Sequence, residues 1–250
     1  MFFRQLAFRF FGLAERFFAY MLGKGYGSAT IRREVKSVIS RLTTVPLLAI
    51  DVGGNVGLYS KELRSKFPDL EIHIFEPSIL NVAKLQSDFQ SDKKIHINSV
   101  GLSDRNSEAN LYSDVSGSGM GSLVNRRLDH FKIKFSSVEK IKTIRFDGYW
   151  EKSLAGRVID IVKLDIEGVE LEALMGFGLA LLKTKVVQFE FGGCNLDTRT
   201  NFQDFYYFFN TLLFKLYRVT PLGLQPIEKY QELDEVFITT NFLAVNSRIL

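Results

Sequence analysis

The residues Asp51-Val52-Gly53-Gly54-Asn55-Val56-Gly57 stand where an almost wholly apolar run, Leu47 to Val52, gives way to a helical pattern that continues to about Phe67. Glycines at such a handover let the backbone turn sharply and let a ligand approach with no Cβ in the way. A dinucleotide fingerprint would read Gly-x-Gly-x-x-Gly and seat a pyrophosphate on the helix N-terminus. This loop reads Asp-x-Gly-x-x-x-Gly instead. An acid two residues before the first glycine is badly placed beside a pyrophosphate. It suits an ammonium group, and the helix N-terminus can still take a carboxylate. The loop therefore asks for an aminoacyl ligand.

Glu76 ends the second apolar strand, Glu71 to Phe75, and is followed by Pro77. A carboxylate there can accept both hydroxyls of an adenosine ribose. Alone, an acid at a strand end is usually just solvated; beside the glycine loop it gains a purpose. Ser103-Asp104, just past the third strand, stands where an adenine amino group would be met, although a polar turn explains it equally well. Aminoacyl tail and adenosine together describe S-adenosylmethionine (SAM).

Methyl transfer from a sulfonium is an in-line displacement, in which the protein mostly aligns acceptor, methyl and sulfur. A hydroxyl acceptor also gains from a base that takes its proton. Asp165 is the first candidate, because it ends a fourth strand, Val158 to Leu164, on the edge where ligands bind. Glu167 shares its face if the extended backbone continues. The two acids could split duties, with one raised in pKa acting as base. They could instead hold a divalent cation. Structurally, Glu167 and Glu170 could simply favour the N-terminus of the next helix. Glu190, near the end of the following strand, should face the same crevice, where it would bind acceptor hydroxyls or pair with Lys163. His130 is expected on the surface and His73 in a structural role. No His, Cys and Asp spacing along the chain matches a zinc site.

The elements that must position these groups alternate. Strands are predicted at 47–52, 71–75, 95–100, 158–164 and 185–191, with helices at about 58–67, 79–90 and from Val169, so the sheet is parallel with right-handed crossovers. The rhythm lapses over 105–157, where Glu108 to Tyr112 and Ile141 to Phe146 read as an inserted hairpin. The glycine-rich Ser116 to Ser122 between them reads as a loop, either a lid or a passive surface segment. A Phe/Tyr-rich helix spans about 202–214, and strands around 216–220 and 235–245 follow. Before the sheet, residues 2–22 and about 29–41 read as helices separated by a flexible Gly23-Lys24-Gly25-Tyr26-Gly27 stretch.

Four segments resemble the FkbM-type methyltransferases: Asp51 to Ser60 (DVGGNVGLYS), Phe75-Glu76-Pro77, Gly101-Leu102-Ser103-Asp104 and Lys163 to Glu170 (KLDIEGVE). The likeness covers roughly residues 46–245. It implies a Rossmann-like class I methyltransferase fold of the α/β class, with seven mostly parallel strands, the last antiparallel, and helices on both faces. It implies SAM as cofactor and O-methylation, often of sugars or natural products. Cofactor contacts are expected from Asp51, Gly53, Gly54, Asn55, Gly57, Glu76, Pro77, Ser103 and Asp104, and catalytic roles from Asp165, Glu167 and Glu190. Competing readings are an NAD-dependent oxidoreductase, for which the loop spacing is wrong, and a catalytically idle SAM-binding module.

Charge sets the remaining boundaries. Residues 1–42 hold eight Lys or Arg against two acids, a net +6, while the whole chain carries +4; residues 43–250, the expected catalytic domain, are therefore slightly acidic at −2. A phosphate-tracking groove is not expected, which argues against nucleic acid as a partner. One cysteine permits no internal disulfide, in keeping with a reducing, cytoplasmic setting. In the N-terminal extension Phe3, Leu6, Phe10, Leu13 and Phe17 form one helical stripe, with Arg9 and Arg16 on another face. That stripe could pack on the main domain, join two copies in a homo-oligomer, or lie peripherally on the inner membrane surface. The expected acceptor is a small molecule or glycan.

Overall fold

Leu48 to Val52 is buried at every position, as a strand covered on both faces must be. In the computed structural model, which describes residues 2–26 and 31–249, this strand lies inside an eight-stranded sheet. The chain runs through α1 (Phe2–Met21), α2 (Ile31–Ile39), β1 (Leu48–Val52), α3 (Leu58–Lys66), β2 (Glu71–Phe75), α4 (Ile79–Phe89) and β3 (Ile95–Asn98). It continues through β4 (Gly101–Leu102), β5 (Ser107–Ser113), β6 (Ser137–Ile144), α5 (Phe146–Leu154), β7 (Ile159–Leu164), α6 (Glu170–Phe177) and β8 (Thr184–Phe191). Last come α7 (Cys194–Thr198), α8 (Phe202–Thr211), β9 (Phe214–Thr220), β10 (Gly223–Ile227) and β11 (Thr240–Asn246). Gly27 and residues 28–30, assigned above to the flexible stretch and the start of the second helix, lie outside the described residues.

The sheet order is β10-β9-β11-β8-β7-β1-β2-β3. Strands β3, β2, β1, β7 and β8 pair in parallel. Strand β11 runs antiparallel between β8 and β9. Seven strands thus take the arrangement expected, and β10 adds an eighth. It folds back from β9 at the Pro221-Leu222 turn and carries Pro226, which an edge strand tolerates because no neighbour needs its N–H. That proline and its shortness hid it in the sequence.

Alternate residues of each strand feed two separate cores. Leu48, Ile50 and Val52 pack with Trp150 of α5, Phe177 of α6 and the Phe202, Phe205 and Phe209 stripe of α8. Ala49, Ile72 and Ile74 pack with Leu63 of α3, Leu85 of α4 and Val35 and Val38 of α2. Helices therefore cover both faces. The segment read as an inserted hairpin is more than that. Strands β4, β6 and β5 make a second, three-stranded sheet. Phe146, expected to end a strand, instead starts α5, whose Phe146, Trp150 and Leu154 are buried in the main core.

Candidate active site

Two cavities open along the carboxyl edge of the parallel strands and meet at the glycine loop. The first encloses about 650 Å³, open solvent included, between the ends of β1 and β2 and the glycine-rich Gly117 to Gly121 segment. Gly53, Asn55, Glu76, Pro77 and Asp165 line it. The second encloses about 630 Å³ beneath α2 and is lined by Gly53, Gly54, Asn55, Leu58, Tyr59, Lys163, Asp165, Glu190 and Asn241. Gly53, Asn55 and Asp165 belong to both.

The loop geometry explains its residue types. Gly53 adopts φ 75°, and a Cβ there would overlap the Asp165 carbonyl oxygen, so the two strand ends touch only because position 53 is bare. Gly57, at φ 78°, caps α3 without any side-chain hydrogen bond, which leaves that helix's first N–H groups without a side-chain acceptor. Glu76 is buried, and burial pushes its carboxyl pKa up. Its Oε2 accepts from the Asn55 N–H at 2.8 Å and its Oε1 from the Ser78 N–H at 2.9 Å. Asn81 Nδ2 lies 3.5 Å from Oε1, so of the roughly four acceptor sites of the carboxylate one on Oε2 stays open to a ligand hydroxyl. Asn55 Oδ1 is buried with no partner, an orphan acceptor beside the loop. A bare loop, a buried acid and an unsatisfied amide oxygen fit an adenosyl ligand with an aminoacyl tail.

Not every expected contact lines a cavity. Asp51 lies beneath the loop, fully buried, where its Oδ2 accepts from Ser60 Oγ at 2.6 Å. Burial raises its pKa, while Lys163 and Ser60 pull it back. Gly57 packs against Leu85 and Phe89. Ser103 is buried and donates to Glu172 Oε1; Asp104 faces outward and pairs with Arg105 at 2.8 Å. At that place the cavity wall is Gly101 and Leu102 instead.

The second cavity is polar because one face of the sheet is. Asp51, Lys163 and Gln188 stand in register on β1, β7 and β8, and Asn241 stands opposite Glu190 on β11. All of these side chains point toward α2 and α3. Gln188 Nε2 donates to Glu34 Oε2 of α2 at 2.7 Å and to Asn241 Oδ1 at 3.1 Å, and it accepts from the Tyr59 hydroxyl at 3.0 Å. Lys163 pairs with Asp165 Oδ2 at 3.0 Å, not with Glu190, and lies over the Tyr59 ring. Burial favours its neutral amine, but Asp165 and Asp51 outweigh burial and keep it charged. Glu190 is half-buried. Its burial, together with the charges of Asp165, Glu167 and Glu170, raises its pKa and favours the protonated form.

Glu167 departs from the extended path. Its φ of 57° turns it out of both cavity walls to meet Arg126 Nη1 at 2.5 Å. Glu170 accepts from the Ile166 and Gly168 N–H groups and so braces the β7–α6 turn. Asp165 and Glu167 each have a protein cation beside them, so their countercharge is already supplied. Elsewhere, Glu71, His73 and His96 bring ligand atoms within 4.8 Å of one another. The two imidazoles stack at 4.4 Å with planes 19° apart, so their in-plane lone pairs do not converge on one ion, and Arg157 holds the other Glu71 oxygen. His130 is exposed, and its ring lies tilted at 44° against that of Phe131.

Sequence reasoning missed Arg126, Tyr59, Glu34 and Asn241. Lys163 and Gln188, polar residues inside apolar strands, were the available signal; the others reach the site only through the fold.

Comparison with known proteins adds three findings. The methyltransferase FkbM domain, as a family, matches residues 51–219. The 2-O-methyltransferase NoeI of Sinorhizobium fredii is 23% identical over 186 residues, covering 70% of this chain and 74% of that protein. Among solved structures, the methyltransferase FkbM of Methylobacillus flagellatus KT aligns with a TM-score of 0.49 at 15% identity, over 80% of this chain and 43% of that one, so this chain spans less than half its length. A SAM-dependent methyltransferase of Agrobacterium tumefaciens aligns with a TM-score of 0.47 at 10% identity, over 87% of this chain and 62% of that one.

Proposed function

The chain belongs to the FkbM methyltransferase family and is a SAM-dependent methyltransferase, and from that premise we propose that it methylates a hydroxyl oxygen on a saccharide, glycolipid or natural-product acceptor. The observation that carries this reading is the position of Asp165, which lines both the cleft suited to the adenosyl group and the polar cavity beside it. The 2-O-methyltransferase relative supports an oxygen acceptor.

SAM, when bound, supplies an electrophilic methyl on a sulfonium and a neutral thioether as leaving group. Glu76 would accept one of its ribose hydroxyls, and Asn55 Oδ1 with the free end of α3 would meet its aminoacyl tail. Asp165 would accept the hydroxyl proton as the acceptor oxygen bonds to the methyl carbon. Lys163 stays charged and holds Asp165 in place through their ion pair. Glu190, favoured as the protonated acid, would donate to a neighbouring acceptor oxygen. With Lys163 and Arg126 balancing the acids, this reading needs no divalent cation.

Asp165→Asn is expected to lower methyl incorporation into a panel of hydroxylated glycans by roughly 10²- to 10⁴-fold. Its calorimetric SAM affinity should stay close to that of the wild type, whereas Glu76→Ala should lose SAM binding. Undiminished turnover by a folded Asp165→Asn protein would remove Asp165 as the base. Absence of any methylated product from wild type, despite SAM binding, would favour an idle binding module.

A further inference from the structure

The twenty residues of α1 form a rod about 30 Å long. Leu6, Phe10, Phe11, Leu13, Phe17 and Phe18 along it are all exposed. At 100° per residue these six fall within one half of the helix surface. Arg9 and Arg16 border that half on one side and Arg4 on the other. The opposite half carries Gln5, Gly12, Glu15 and Ala19, with Phe8 as its one exposed aromatic residue. An aromatic half-cylinder with cationic borders is the shape of a helix that lies in the headgroup boundary of a bilayer. No described helix is long and apolar enough to cross one. A second copy is the poorer occupant. The apolar arc is wider than a two-helix seam, and a twin would bring arginine borders toward each other.

The root of α1 is what makes this functional. Gly23 packs on Val219 and Thr220, the last residues of β9. Lys24 Nζ donates to the Leu233 carbonyl at 3.0 Å, and the Gly25 N–H donates to Thr240 Oγ1 at 3.0 Å. Tyr26 is buried. Thr240 opens β11 opposite Phe191, the end of β8, so the helix springs from the carboxyl edge of the sheet. The next residue, Asn241, lines the polar cavity, and Ile31 and Glu34 of α2 line it from above. One segment of chain therefore carries both the apolar helix and a wall of that cavity.

We infer that α1 docks the enzyme on an anionic membrane surface with the polar cavity at the interface, so that the hydroxyl acceptor is a lipid-borne headgroup rather than a freely diffusing molecule. The choice of acceptor rests on the hydroxyl-methylating reading above; the docking does not. The charge is matched to the task, because the basic excess of the chain, +6, is concentrated on residues 1–42, which hold α1.

The test uses the full chain and vesicles of phosphatidylcholine alone or with phosphatidylglycerol. Binding to the anionic vesicles is expected to be stronger by roughly tenfold or more. The variants Phe10→Asp with Phe17→Asp, and Arg9→Glu with Arg16→Glu, should each lose that binding while keeping wild-type SAM affinity by calorimetry. Anionic vesicles should also slow hydrogen exchange at the rim segment 231–239 and leave the β3 edge unchanged. Equal binding to neutral and anionic vesicles overturns the docking. So does a concentration-dependent dimer in ultracentrifugation that the Phe10→Asp, Phe17→Asp variant abolishes, since a second copy would then cover the face. Vesicle binding without rim protection overturns the placement of the cavity. Loss of SAM binding by wild type would instead sink the methyltransferase reading and leave the membrane result standing.

Discussion

Glu167 turns at φ 57° toward Arg126, and its carboxyl titrates at about 7 rather than 4.5. Burial raises it, the charge of Asp165 adds to that, and Arg126 holds it back. Between 4.5 and 7 the folded chain keeps a proton that the unfolded chain has released. This one group therefore erodes stability as pH rises through that window, by at most about 1.4 kcal/mol per pH unit. Glu167→Gln is expected to flatten that part of the Tm-against-pH curve. Individual residues were legible where local chemistry decides them. Gly53, Glu76 and Asp165 could be read from strand ends and spacing. Glu167 could not, because its direction depends on a positive φ and a partner 41 residues away.

The segment between β5 and β6 acts as a wall and is fastened at both ends. Glu139 of β6 accepts from Ser116 Oγ at 2.6 Å, from Ser78 Oγ at 3.0 Å and from the Ile79 N–H at 3.1 Å, tying the glycine-rich loop to the start of α4. At the other end Ser122 Oγ donates to the Glu167 carbonyl at 2.8 Å. Glu139→Ala leaves those donors without their acceptor and should weaken SAM binding by roughly tenfold. Hydrogen exchange over 114–122 should quicken in the same variant. On the far side of the sheet, α8 starts with a capping box between Asn201 and Asp204. Asn201→Ala is expected to lower stability by about 1 kcal/mol, read as Tm, with SAM affinity unchanged. Elements with a strict period were visible in advance. The start of α5 at Phe146 was not, since an aromatic residue after a strand continues the strand pattern as readily as it opens a helix.

At the scale of the molecule, strand parity sorts the chain into an apolar floor and a polar working face. Phe189 shows the first. Its ring stacks on Phe205, Phe209 and Phe242, joining β8, α8 and β11, so Phe189→Ala should cost about 3–5 kcal/mol in denaturant unfolding. The parallel order was readable from alternating elements, whereas the polar face was hidden because its members lie on four strands and two helices. The place of β11 also has a temporal side. The ribosome delivers β8, β9 and β10 before the strand that unites them. Until Thr240–Asn246 slots in, β8 and the β9–β10 hairpin present bare hydrogen-bonding edges to other nascent chains. Soluble yield during synthesis is thus a race between that late insertion and edge-to-edge association, and chaperones that shield open strands should tilt it toward the native sheet.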